Sequence, residues 1–203
     1  MLPVLLLSGM LSIAAQGQTN NVMHDYLNIP GPIVLDKKSY NLSWSSHPAA
    51  NFYKQEYIQK GDNPEKFKEM ILVDVIISSP DSHRDGIKEV VAAKIAELKK
   101  IKESNPAVNY ETFDNSKAGE YMIDFLLTAN AADGKMSIVE RNVYRYKTFT
   151  DQSGKTGILL FGISTRNYGE NIPAFFSSLK TNKSNLLNQV AQYKIPSVKI
   201  QAN

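Results

Sequence analysis

The 203 residues include no cysteine. That absence excludes disulfide staples, thiolate metal sites, cysteine nucleophiles and a lipid-modified N-terminal cysteine, so stability has to rest on a buried core. Histidine is scarce too. His24, His47 and His83 are the only three, and none stands at metal-ligand spacing from another. They read as a linker residue, a turn residue and a loop residue beside Pro80 and Asp81. Neither sign of charge dominates: Lys+Arg 23 against Asp+Glu 20 leaves +3, and the scattered basic residues form no stripe for nucleic acid. Glycine loops that cradle phosphate are missing as well. No Gly-x-Gly-x-x-Gly occurs, and Gly154-Lys155-Thr156 lacks the upstream glycine of a P-loop and falls in a hairpin turn. Gly162-Ile163-Ser164 lacks the closing glycine of a nucleophile elbow. No repeat and no low-complexity tract is present, and no cofactor is expected.

The one long apolar run lies at the start. Leu2 to Ala15 carries no charge and is shorter than the roughly 20 residues that span a bilayer. With small residues at Ala14, Ala15 and Gly17 behind it, it reads as a signal peptide over residues 1–17. No Lys or Arg precedes the run, which leaves an upstream start codon open. The expectation is therefore a soluble product in the periplasm or outside the cell, without a transmembrane anchor. Residues 18–33 have the Gln, Asn, Gly and Pro content of an extended lead-in. A single domain over 34–195 and a short tail over 196–203 follow.

Within that domain, Tyr40, Leu42 and Trp44 alternate along a first strand and are expected on one face, with Asn51 to Ile58 as its hairpin partner across a turn at residues 45–48. Asn63-Pro64 is a helix-start signal that predicts a short helix through Met70. Ile71 to Ser78 is rich in β-branched residues and reads as a mostly buried strand with one charged residue, Asp74. From Asp85 to Ser104 apolar residues recur at three- and four-residue intervals, predicting a helix with Lys94, Glu97, Lys99, Lys100 and Lys102 turned outward. Four strand-like segments follow, at 107–113, 120–130, 136–149 and 156–166, separated by short turns that favour an antiparallel meander. A last helix is expected from about Glu170 to Tyr193, with a break between Thr181 and Ser184.

Chemistry-bearing residues sit inside the strands. A four-residue loop from Ala131 to Gly134 would place Asp124 opposite Arg141 as a cross-strand ion pair. Glu140, Arg141, Arg145 and Arg166, together with Asp124, are the candidate ligand-binding set, for an unknown protein or a small anionic or sugar-like ligand. Asp124 and Glu140 are also the carboxylate pair that a hydrolase would need.

The stretch Trp44 to Ile77 contains Phe52-Tyr53-Lys54-Gln55-Glu56-Tyr57-Ile58, then Lys60-Gly61-Asp62, then Phe67 and Met70 before an apolar strand. It resembles a poorly characterised group of exported bacterial proteins. In element order the chain is similar to the PsbP-like αβα sandwich, whose members are mostly accessory or binding proteins. The resemblance implies an α+β fold, an antiparallel sheet of meander plus N-terminal hairpin covered by helices. The functional expectation is a non-catalytic accessory or binding module of the bacterial envelope. The alternatives are a hydrolase using sheet carboxylates and a structural partner in an envelope complex.

Overall fold

Alternating apolar residues and turn chemistry build most of the chain into strands. The computed structural model describes residues 23–78 and 86–200, so the leader and His83 lie outside the described residues. Strands β1 (Ile33–Leu35), β2 (Lys38–Ala49), β3 (Phe52–Gln59) and β4 (Glu69–Ile77) precede helix α1 (Gly86–Ser104). After it come β5 (Asn109–Asn115), β6 (Glu120–Asn130), β7 (Met136–Thr150), β8 (Thr156–Tyr168) and helix α2 (Ile172–Gln192). All eight strands form one antiparallel sheet in the order β1-β2-β3-β4-β8-β7-β6-β5. The expected meander is therefore present, and the β4–β8 ladder, from Glu69↔Thr165 to Ile77↔Gly157, joins it to the N-terminal strands.

The αβα sandwich is not what forms. The chain is 46% strand and 26% helix, and the sheet curls into a half-barrel that the helices do not cover. Widths explain this: eight strands at ~4.8 Å spacing span ~34 Å, whereas one helix is ~10 Å across. Helix α1 packs Ile87, Val91 and Leu98 against Ile123, Phe125, Tyr146, Ile158 and Leu160 on one face. On the opposite face, α2 brings Val190 against Val143, Leu159, Phe161 and Ile163. Where a sandwich would continue its helical layer, extended chain does the covering. Leu27 and Ile29 from the lead-in, and Val198 and Ile200 from the tail, are buried in the α2-face core with Tyr53, Tyr57, Ile71 and Val73. The amide of Lys199 donates to the Leu27 carbonyl (2.8 Å), and buried Gln55 ties the lead-in down by accepting from the Leu27 amide (2.9 Å) and donating to Asp25 (3.0 Å).

Three local expectations are also corrected. Residues 63–67 make a turn rather than a helix: Asn63 accepts from the Glu65 amide through its side chain (2.8 Å) and from the Lys66 amide through its carbonyl (2.9 Å). So short a segment cannot offset the cost of helix nucleation, and its Phe67 packs with Ile58 and Met70 instead. His47 lies in β2 rather than a turn, its ring stacked on Tyr53 at 4.1 Å. Trp44 does not share a face with Tyr40 and Leu42, because the ladder slips between Leu42↔Tyr57 and Trp44↔Glu56. Ser43 is the extra residue of that bulge, and its hydroxyl donates to the Glu56 carbonyl (3.1 Å). One inserted residue moves everything after it to the other side of a sheet.

The α2 expectation holds in detail: one helix with a break, at Asn182 (φ −119, ψ 16). Gly154, at φ +84, turns the β7–β8 hairpin as its Gly-Lys-Thr context indicated.

At the seam of the two halves a Cβ on Gly157 would stand 2.1 Å from the Ile76 carbonyl oxygen. Gly157→Ala should therefore split β4 from β8 locally and cost at least ~2 kcal/mol by the overpacking rule, read as a lowered urea midpoint.

Candidate functional site

Side chains alternate across a strand, so the register fixes which of the strand charges meet. Asp124 pairs in the ladder with Val143 and Arg141 with Leu126, two residues from the expected alignment: one residue comes from the bulge between Ala129 and Asn130, the other from a β6–β7 connection of five residues, 131–135, rather than four. A shift of two keeps both side chains on one face, so the ion pair forms diagonally. Arg141 Nε donates to Asp124 Oδ1 (3.0 Å) and Nη2 to Oδ2 (2.8 Å), with both residues 5% exposed. The same Nη2 donates to the Lys183 carbonyl (2.6 Å), beside the break in α2. Arg145, four residues on, donates to Glu120 (2.7 Å) and to the carbonyls of Tyr193 (2.9 Å) and Val190 (3.3 Å) at the helix C-terminus. A guanidinium there satisfies end carbonyls and opposes the helix dipole. These three residues fasten α2 to the sheet.

Glu140 and Arg166 lie on the opposite, α1 face. They are cross-strand partners, Arg166 Nε donating to Glu140 (2.7 Å), with the guanidinium 4.1 Å from the Phe67 ring centroid. The sheet thus divides the five sequence-selected residues, and the carboxylates of Asp124 and Glu140 point away from each other through it.

A different set gathers on the α1 face. Asp74 on β4 pairs with Lys54 on β3 and with Leu160 on β8, while Glu56 is opposite Trp44. Trp44, Lys54, Glu56 and Asp74 therefore share one side of neighbouring strands. Among the described residues the side chains of Lys54, Glu56 and Asp74 make no hydrogen bond or ion pair, and Asp74 Oδ1 is a buried oxygen without a partner. Asp74 is 6% exposed and Trp44 42%, so the row runs from a buried floor to an open rim. Burial pushes the Asp74 carboxyl up to about 7, with Glu56 adding to the rise and Lys54 and Lys94 opposing it. Burial also raises Glu56.

Helix α1 closes one flank with Lys94, which is buried rather than turned outward. Its ammonium donates to Glu97 (3.1 Å) and stands 5.1 Å from the Phe125 ring centroid and 5.9 Å from that of Tyr144. Burial lowers its affinity for the proton, which Glu97 counteracts. The Tyr144 ring in turn lies on Gly162, where an added Cβ would be 2.7 Å from it. Beyond Tyr144, Ser164 donates to Asn142 in a fully buried contact, and Asn142 Nδ2 has no partner among the described residues.

Two signals for this row were in the sequence: an acidic residue inside an otherwise apolar strand, and the only tryptophan. Neither could be joined to the other without the β3–β4 register and the bulge at Ser43. Among the described residues no three histidine, aspartate or glutamate side chains gather as metal ligands, and no helix is long and apolar enough to cross a membrane.

Two measurements check this division of labour. Arg141→Ala should lower stability by about 3–5 kcal/mol by leaving Asp124 charged and buried, whereas Arg141→Met with Asp124→Leu should recover most of the loss. Asp74 behaves oppositely. A carboxyl whose pKa is raised by folding from 3.8 to about 7 holds its proton more tightly in the native state, so its contribution falls as pH climbs through that window and is level above it. Asp74→Asn should therefore raise stability at pH 8 by about 2–4 kcal/mol, with little change at pH 4, in urea titrations at the two values.

No curated protein and no solved structure matches the chain. A protein-family model does match, over residues 27–195, from the buried lead-in to just beyond α2. The chain belongs to that uncharacterised family.

Proposed function

We propose that the protein is an exported, non-catalytic accessory or binding module of the bacterial envelope. The observation that carries the reading is the contrast between the two faces of the sheet. On the α2 face the buried charges are consumed in holding the fold together, while on the α1 face Lys54, Glu56 and Asp74 make no hydrogen bond or ion pair among the described residues and stand on the same side as an exposed indole. Unspent polar groups of this kind lower stability and are kept where a ligand supplies what they lack. Export rests on the apolar leader with small residues behind it.

Among the described residues the exposed large apolar side chains, Met23, Val34, Trp44 and Phe113, fall on separate segments. They give no support to an apolar face for a structural partner.

Hydrolysis by sheet carboxylates is the second reading, and one observation favours it in altered form. Glu56 and Asp74, unlike Asp124 and Glu140, share a face on adjacent strands and both hold their protons more tightly than usual. An acid of raised pKa beside a second carboxyl is what glycoside hydrolysis uses.

The purified protein should leave glycoside, ester and peptide substrates unchanged, and N-terminal sequencing of the native protein should begin near Gln18 in an extracytoplasmic fraction. Turnover that disappears in Glu56→Gln or Asp74→Asn would establish the second reading instead. A full-length chain confined to the cytosol would overturn export.

A further inference from the structure

We infer that the row Trp44, Glu56, Lys54 and Asp74 binds a neutral polyhydroxyl ligand, a saccharide of one or two rings, an inference that rests on the proposed binding role and specifies its site and ligand class.

Charge weighs against a ligand that is purely an anion or purely a cation. Two carboxyls repel an anion from the Lys54 ammonium, and Lys54, beside both Glu56 and Asp74 on the same face, repels an organic cation from the carboxyls. A neutral ligand meets neither penalty. It must, however, satisfy acceptors and a donor together, because Glu56 and Asp74 present carboxyl oxygens and Lys54 presents N–H groups. A hydroxyl is both donor and acceptor, so adjacent hydroxyls on one ring can pair with an ammonium and a carboxylate at once.

The aromatic member fits the same ligand. Trp44 offers an indole face at the rim, 42% exposed although it is the sole tryptophan of the chain. Such a surface accepts the C–H face of a pyranose by dispersion while the ring hydroxyls reach outward to polar groups. The Ser43 bulge is what turns it there, and the Ser43 hydroxyl fixes the bulge to β3. Size agrees: Trp44 and Asp74 are two strands apart and two residues offset along them, about 12 Å between backbones, within reach of a disaccharide.

Asp74 supplies the independent sign of a missing partner. Its Oδ1 is buried and unbonded among the described residues, facing Lys54 from β3, Lys94 from α1 and, across β8, Tyr146 of β7. A ligand hydroxyl, directly or through one bridging water, gives that oxygen the hydrogen bond the protein does not.

The test is a titration of the full chain with cellobiose, maltose and N,N′-diacetylchitobiose, read by the emission of Trp44 and by the amide shifts of residues 54–56 and 72–74. At least one disaccharide should give a saturable response, with affinity reduced at least tenfold in Asp74→Ala and, by amide shifts, in Trp44→Ala. Asp74→Ala removes an unbonded buried carboxyl and so should fold at least as well as the parent, which keeps the comparison meaningful. No response to any of the three, or a response unchanged in both variants, overturns the inference, whatever sodium acetate and methylammonium chloride do as charged controls. Chromatography of the same mixtures separates the two proposals. Binding with cleavage supports the saccharide site and overturns the non-catalytic reading; neither binding nor cleavage overturns the saccharide site alone.

Discussion

The β4–β8 ladder is the contact on which the rest depends. It pairs residues 80 to 96 positions apart, so chain entropy opposes it more than any hairpin in the molecule. Until it forms, the N-terminal strands and the meander are separate ribbons with one wet face each. Once it forms, the apolar β4 run is buried on both faces, and the two cores on either side of the sheet become continuous across the seam. Gly157 marks how closely the halves approach, leaving room for the carbonyl of Ile76, while Gly162 leaves room for the ring of Tyr144 inside the meander.

The two faces then spend charge differently. On the α2 side, Arg141 and Arg145 link carboxylates of β6 to carbonyls of α2, so a helix that packs over only part of the sheet is held by charge-assisted hydrogen bonds as well as by Val190. Burial is tolerable there because each guanidinium finds several acceptors. On the α1 side the same sheet carries an aspartate with no such compensation. A fold optimised for stability alone would place an apolar residue at position 74. The half-barrel curl, which leaves this side without a full helical layer, is what allows Trp44 and Glu56 to stay near solvent while Asp74 lies deep.

Much of the element order was legible from local signals. The meander turns carry Gly134 and Gly154 at positive φ, α1 shows its apolar stripe, and the Thr181–Ser184 stretch announces the break found at Asn182. Most failures turned on packing and register, which neighbouring residues alone do not specify. Lys94 scores as a surface lysine until Phe125 and Tyr144 are brought beneath it. Residues 63–67 carry valid helix-start chemistry, yet Phe67 gains more by covering Ile58 and Met70. The pairing of Asp124 with Arg141 was correctly anticipated, though through a register two residues away, because alternation preserves the face when a slip is even.

What the sequence determined by itself is therefore periodicity and punctuation: which segments are strands, where they turn, and which residue types stand within them. Those properties are set by backbone sterics and by contacts within a few residues. Which charges meet, which face Trp44 occupies, and whether helices or extended termini cover the sheet were decided only in the tertiary structure. A single bulged residue reverses sidedness, and the width of eight strands exceeds what one helix on each face can cover.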